Sequence, residues 1–315
     1  MKKYAFGVDI GGTTVKMGLF YTDGKILEKW EIPSKKNDAN LTLLDDIAEE
    51  IKRVMEQHEI DPEDIAGVGM GVPGPVGWEG TVYKCINLGW DVINVEVEMK
   101  RRCGLNVKAG NDANVAALGE MWMGGGQGYS SLVMVTLGTG VGGGVILDGR
   151  IVSGAHGAAG EIGHIPVRDD EPIACACGKH GCLEQYASAT GIARVCREYL
   201  KESKEPSVLR ECNPITAKDI FDAAKAGDAV ALKMVEQFAG TLGKALAGVA
   251  AVINPQAFVI GGGVAKAGEI VTQSLKEQFR CYAFHAARDT KFVLAKLGND
   301  AGIYGGVKLV LDTFR

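Results

Sequence analysis

Tyr4-Ala5-Phe6-Gly7-Val8-Asp9-Ile10-Gly11-Gly12-Thr13-Thr14 opens the chain with a short apolar run that ends in an acid and a glycine pair. A second β-rich run covers residues 15–21, and after Asp23-Gly24 a third covers 25–32. Asp-Gly between two such runs predicts a hairpin, so the opening reads as three strands with a glycine turn after the first. Residues 41–58 place Leu44, Ile47, Ile51, Val54 and Met55 at a helical period, and residues 65–71 read as a buried strand. Three strands, a helix and a strand make a mixed α/β unit.

The pattern returns in mid-chain. Residues 131–136 predict a strand, Leu137-Gly138-Thr139-Gly140 a turn, 141–147 a second strand, Asp148-Gly149 a hairpin turn and 150–153 a third strand. Further on, 229–253 predicts a long helix, and 257–260 a strand ending in Gly261-Gly262-Gly263, with another helix from about 269 to 278. One supersecondary unit is used twice, with a boundary expected near residues 113–125 and a ligand cleft between the halves.

The 315 residues suffice for two domains. The 44 glycines cluster tightly, which suggests backbone-lined sites. A net charge of -5 offers no basic footprint for nucleic acid, so an anionic ligand would be held by backbone dipoles or a metal. With no signal-peptide pattern at the start and no long apolar run, the expected compartment is the cytoplasm.

Glycines at a strand-to-strand turn let N–H groups converge on an anion. Gly11, Gly12, Thr13 and Thr14 form one candidate phosphate turn, and Gly138, Thr139 and Gly140 a second. A glycine hairpin without a ligand has the same local sequence, but two copies favour a phosphate clamp. Neither copy continues as a Walker loop, and a strand comes next where a dinucleotide fingerprint needs a helix. Asp9 is placed to act on a hydrated magnesium ion beside the phosphates. Gly262 and Gly263 could let an adenosine lie against backbone, or could form a packed turn. Gly110-Asn111-Asp112 leads into an Ala-rich helix. Asp112 is either its N-cap or the base that takes a proton from a sugar hydroxyl, with the amides of Asn111 and Asn87 meeting neighbouring hydroxyls.

Cys175, Cys177 and Cys182 fall within eight residues, eleven positions after His164. This spacing matches a closed four-ligand structural zinc site that would orient His164 and Glu161, with His180 as a competing ligand. The other five cysteines read as ordinary reduced thiols.

Together these stretches resemble the ROK family of repressors, open reading frames and sugar kinases, and within it the bacterial glucokinases. The resemblance spans essentially the whole chain. Its carriers include Asp9-Ile10-Gly11-Gly12-Thr13, Gly71-Val72-Pro73-Gly74-Pro75-Val76, Asn111-Asp112, Gly138-Thr139-Gly140, Glu161-Ile162-Gly163-His164 and the Cys175 to Glu184 spacing. It implies an α/β actin-like/hexokinase (ribonuclease H-like) fold: a small lobe of residues 1–115 completed by a helix at about 301–315, and a large lobe of 116–300 with the zinc loop. It implies ATP-dependent phosphorylation of glucose with Asp112 as base; sugar contacts from Asn87, Asn111, Glu161, His164 and Glu184; zinc on His164, Cys175, Cys177 and Cys182; and a homodimer or homotetramer. The rivals are a kinase for mannose, N-acetylglucosamine or fructose, and a non-catalytic sugar sensor. A repressor is not expected, because the first phosphate strand begins at Tyr4 and leaves no room for a helix-turn-helix before it.

Overall fold

A computed structural model describes residues 2–314 apart from 84, 86 and 87. In chain order the elements are β1 (Tyr4–Ile10), β2 (Thr14–Tyr21), β3 (Ile26–Pro33), α1 (Thr42–Gln57), β4 (Ile65–Val72), β5 (Thr81–Val82), β6 (Ile93–Asn94), α2 (Val95–Cys103), β7 (Val107–Asn111) and α3 (Asp112–Met123). Next come β8 (Leu132–Leu137), β9 (Val141–Leu147), β10 (Arg150–Ile151), α4 (Glu184–Ala187), α5 (Ala189–Glu202), α6 (Ala217–Lys225) and α7 (Ala229–Ile253). The chain closes with β11 (Ala257–Gly261), α8 (Gly262–Ala265), α9 (Glu269–Tyr282), β12 (Lys291–Leu294) and α10 (Ala301–Thr313). They divide into two compact units, Met1–Ser130 with Gly144–Gly160 and Leu297–Arg315, and Ser131–Gly143 with Glu161–Lys296.

In the first unit the sheet order is β3-β2-β1-β4-β7, antiparallel through β1 and parallel from β1 to β7. The periodic apolar residues of α1 (Leu43, Leu44, Ile47, Ile51, Val54) join Phe6, Val8 and Met70 in one core. On the opposite face α10 lays Ile303, Val307 and Val310 with Ala5, Phe20 and Ala66. That helix approaches the sheet backbone to backbone: a Cβ at Gly69 would fall 1.7 Å from Gly306 O, and one at Gly7 2.0 Å from Ile303 O.

The second sheet repeats the order, β10-β9-β8-β11-β12, with β8, β11 and β12 parallel. The 25-residue α7 starts at the Asp228 cap, whose side chain accepts the Ala231 N–H, and stops at Asn254 in the left-handed conformation. Its face of Met234, Phe238, Leu242 and Leu246 is buried. It packs closely on α9, where a Cβ at Gly243 would lie 2.9 Å from Phe279 N. The duplicated α/β topology is that of the actin/hexokinase fold.

Three local expectations change. The third strand of the second set ends at Ile151, not residue 153: Val152 N–H still donates to Val145 O at 2.9 Å, but the residue pairing stops at Ile151 with Ile146. Ser153 O instead accepts the Ala159 N–H. After β11 the glycines begin a short helix instead of a simple turn: Gly262 sits at φ 83° against Leu137, where a Cβ would lie 2.5 Å from the carbonyl oxygen. The next helix runs on to Tyr282, four residues past the expected end, because Leu275 and Phe279 continue its buried face.

Candidate active site

In the first unit the C-terminal ends of three parallel strands meet. The register aligns Asp9 with Gly71, and Gly71 with Gly110. Edges of this kind are where open α/β sheets collect ligand-binding groups. Gly71 lies between two acids: a Cβ there would sit 3.4 Å from Asp9 Oδ1 and 3.5 Å from Asp112 Cα. Burial, and secondarily the charge of Asp112, push the Asp9 carboxyl up to about 6, against a smaller opposing effect of Lys16. The first glycine turn comes directly after, closed by Gly11 N–H donating to Thr14 O at 3.0 Å, with Gly12 and Thr13 exposed.

The N-cap of α3 is Asn111 and not Asp112: Asn111 Oδ1 accepts the Asn114 N–H at 3.1 Å. Asp112 is the first helical residue, and its Oδ1 accepts from Ala113 N–H at 2.8 Å and Asn111 Nδ2 at 3.0 Å. Asn111 Nδ2 also donates to Gly74 O at 3.0 Å, tying the Pro73–Val76 loop to the end of β7. Asn87 lies outside the described residues.

The second unit carries the other glycine turn and the cysteine cluster. Gly138 N–H donates to Gly140 O at 3.0 Å, closing the turn between β8 and β9. The start of α5 packs against it, with Ala189 N–H on Gly138 O at 2.8 Å and Thr190 Oγ1 on Thr139 O at 2.6 Å. Exposed Gly263 lines a cleft of about 350 Å³ with Ala189, Thr216, Phe221, Val264 and Ala267, large enough for an adenine ring.

One donor atom from each of His164, Cys175, Cys177 and Cys182 lies within 4.8 Å of all the others. Cys177 Sγ and Cys182 Sγ are 3.6 Å apart, and Cys175 Sγ is 3.7 Å from His164 Nδ1. A tetrahedral zinc with ~2.3 Å bonds to sulfur spaces its ligands by roughly 3.8 Å, so the donors fit. His180 is turned elsewhere, its Nδ1 3.0 Å from Glu171 O. His164 divides its ring, Nδ1 toward the thiols and Nε2 4.0 Å from Glu161 Oε2. Glu184 Oε1 accepts from the Cys175 thiol at 2.8 Å, and burial, then this bond, pushes that thiol up to about 12. Metal binding must therefore displace a proton.

The loop is also braced from behind. Glu171 accepts from Tyr186 Oη, from Ile173 N–H at 3.0 Å and from Arg194 at 2.9 Å; despite its burial, these partners hold it below the usual carboxylate range. Neither this brace nor Thr190 was picked out from sequence. The available signal was Ser188, two residues before Thr190, as a helix-capping residue.

The ROK family sequence profile matches residues 5–313. The chain is 44% identical over 313 residues to the glucokinase of Halalkalibacterium halodurans, covering 98% of this chain and 95% of that one. Against the glucokinase of Thermotoga maritima the identity is 38%, covering 97% and 96%. The crystal structure of a ROK family glucokinase from Streptomyces griseus in complex with glucose and AMPPNP matches with a TM-score of 0.74 and 33% identity, over 98% of this chain and 99% of that one.

Proposed function

The chain belongs to the ROK family, and from that membership we propose that it is an ATP-dependent glucokinase that converts glucose to glucose 6-phosphate. The observation that carries the reading is Asp112, an oriented carboxylate at the start of α3 beside a second acid and the first glycine turn.

In this reading the two glycine turns take the phosphates of ATP, and Gly262 and Gly263 lie along its adenosine. Asn87, Asn111, Glu161, His164 and Glu184 receive the sugar hydroxyls. Asp112 accepts the proton of the 6-hydroxyl as its oxygen bonds to the γ-phosphorus and the bond to ADP breaks. Asp9 suits a hydrated magnesium ion, since two adjacent acids invite a divalent cation; the ion supplies neutralisation of phosphate charge. Zinc held by His164, Cys175, Cys177 and Cys182 supplies a fixed loop, leaving His164 Nε2 and Glu161 to face the sugar. Assembly as a homodimer or homotetramer belongs to the same reading.

A coupled ADP-release assay with ATP, magnesium and a panel of hexoses tests it. Glucose should give the highest kcat/KM. A better hexose would reassign the substrate, and no turnover with any sugar would leave a sugar-binding sensor.

A further inference from the structure

The second glycine turn is held from one side by residues to which the kinase reading gives no role. Ser188 caps α5, its Oγ accepting the Gly191 N–H at 3.0 Å. The next residue, Ala189, has a first-turn N–H with no acceptor inside its helix, and it donates to Gly138 O at 2.8 Å. Thr190 Oγ1 then donates to Thr139 O at 2.6 Å and lies 3.0 Å from Ser188 Oγ. Because Ser188 already fills the capping position, the Thr190 hydroxyl is not needed to start the helix.

Peptide geometry carries these bonds to the far side of the turn. In a trans peptide the N–H points opposite to the C=O of the same plane. Gly138 O shares its plane with Thr139 N–H, and Thr139 O shares its plane with Gly140 N–H. Drawing both carbonyls onto the start of α5 turns two successive N–H groups to the other side of the turn. Successive amides presented together form an anion-binding concavity. With either carbonyl released, a flipped plane would present oxygen to a phosphate and repel it.

We propose that Thr190, seconded by the Ala189 N–H, is a positioning residue for the phosphate donor, fixing the Thr139 and Gly140 amides toward the phosphates of ATP. The proposal rests on the kinase reading and deepens it at one site. Thr190 is exposed, so substitution there leaves no buried cavity.

The test is calorimetric binding of magnesium AMPPNP to the full chain without sugar, and separately of glucose without nucleotide. Thr190→Val keeps the side-chain shape and removes the donor. It should weaken AMPPNP about five- to tenfold, the worth of one hydrogen bond, with glucose affinity unchanged and Tm lowered only slightly. Thr190→Ser should restore wild-type binding. Unchanged AMPPNP affinity in Thr190→Val, parallel losses for both ligands, or failure of that variant to fold would overturn the proposal. A wild-type chain that binds glucose but no nucleotide would overturn the kinase reading, and the positioning role with it.

Discussion

Asp9 and Asp112 reach the same strand-end edge from different elements, and Gly71 between them lacks the side chain that would separate them. Burial of Asp9, and secondarily the charge of Asp112, leaves the Asp9 carboxyl near 6.

Asp112→Asn should therefore act at two levels. Turnover should fall about 10²- to 10⁴-fold, the usual worth of a general base, while glucose still binds. Removing the neighbouring charge should also lower the Asp9 pKa, readable by NMR of carboxyl-labelled aspartate. Undiminished turnover would refute the assigned role.

The raised Asp9 carboxyl also sets a pH dependence of stability. A carboxyl that protonates more readily folded than unfolded stabilises the fold below its unfolded value of 3.8, and that contribution is lost as pH rises through about 6. The shift corresponds to about 3 kcal/mol. In metal-free protein, Asp9→Asn should thus raise stability at pH 7.5 and bring little gain at pH 4, as followed by denaturant titration at both values. An equal effect at the two pH values would contradict the shift.

Gly69→Ala should destabilise the first unit by at least about 1–3 kcal/mol, because its Cβ would meet the Gly306 carbonyl of α10 and neither backbone can yield locally. Thermal melting measures it. Gly12→Ala is the control, since a Cβ there has nothing within 4 Å.

The purified protein should hold about one zinc ion per chain by elemental analysis, and Cys177→Ser should lose most of it. Glucose affinity should fall roughly tenfold or more, as when the groups orienting a site are removed, because His164 loses the partners that aim its ring. Full glucose affinity in metal-free protein would confine the cluster to stability.

Short-range features were legible in sequence because the chemistry that sets them is local. Glycine turns after Asp9 and Leu137, the Asp-Gly hairpins, the bounds of α7 and the cysteine spacing all depend on residues a few positions apart. What needed the tertiary structure depends on neighbours distant along the chain. Asn111 took the capping role and left Asp112 as first helical residue, which a Gly-Asn-Asp sequence does not distinguish. His164 joined the thiols because His180 was drawn to the Glu171 carbonyl. Gly262 has no room for a Cβ because Leu137 lies against it, and the Thr139 carbonyl found Thr190 fifty-one positions away. Sequence periodicity and spacing therefore determined the repeated strand-and-helix pattern and the candidate donors. Packing decided which donor faces which partner, because those choices turn on a few ångströms between residues that only the folded chain brings together.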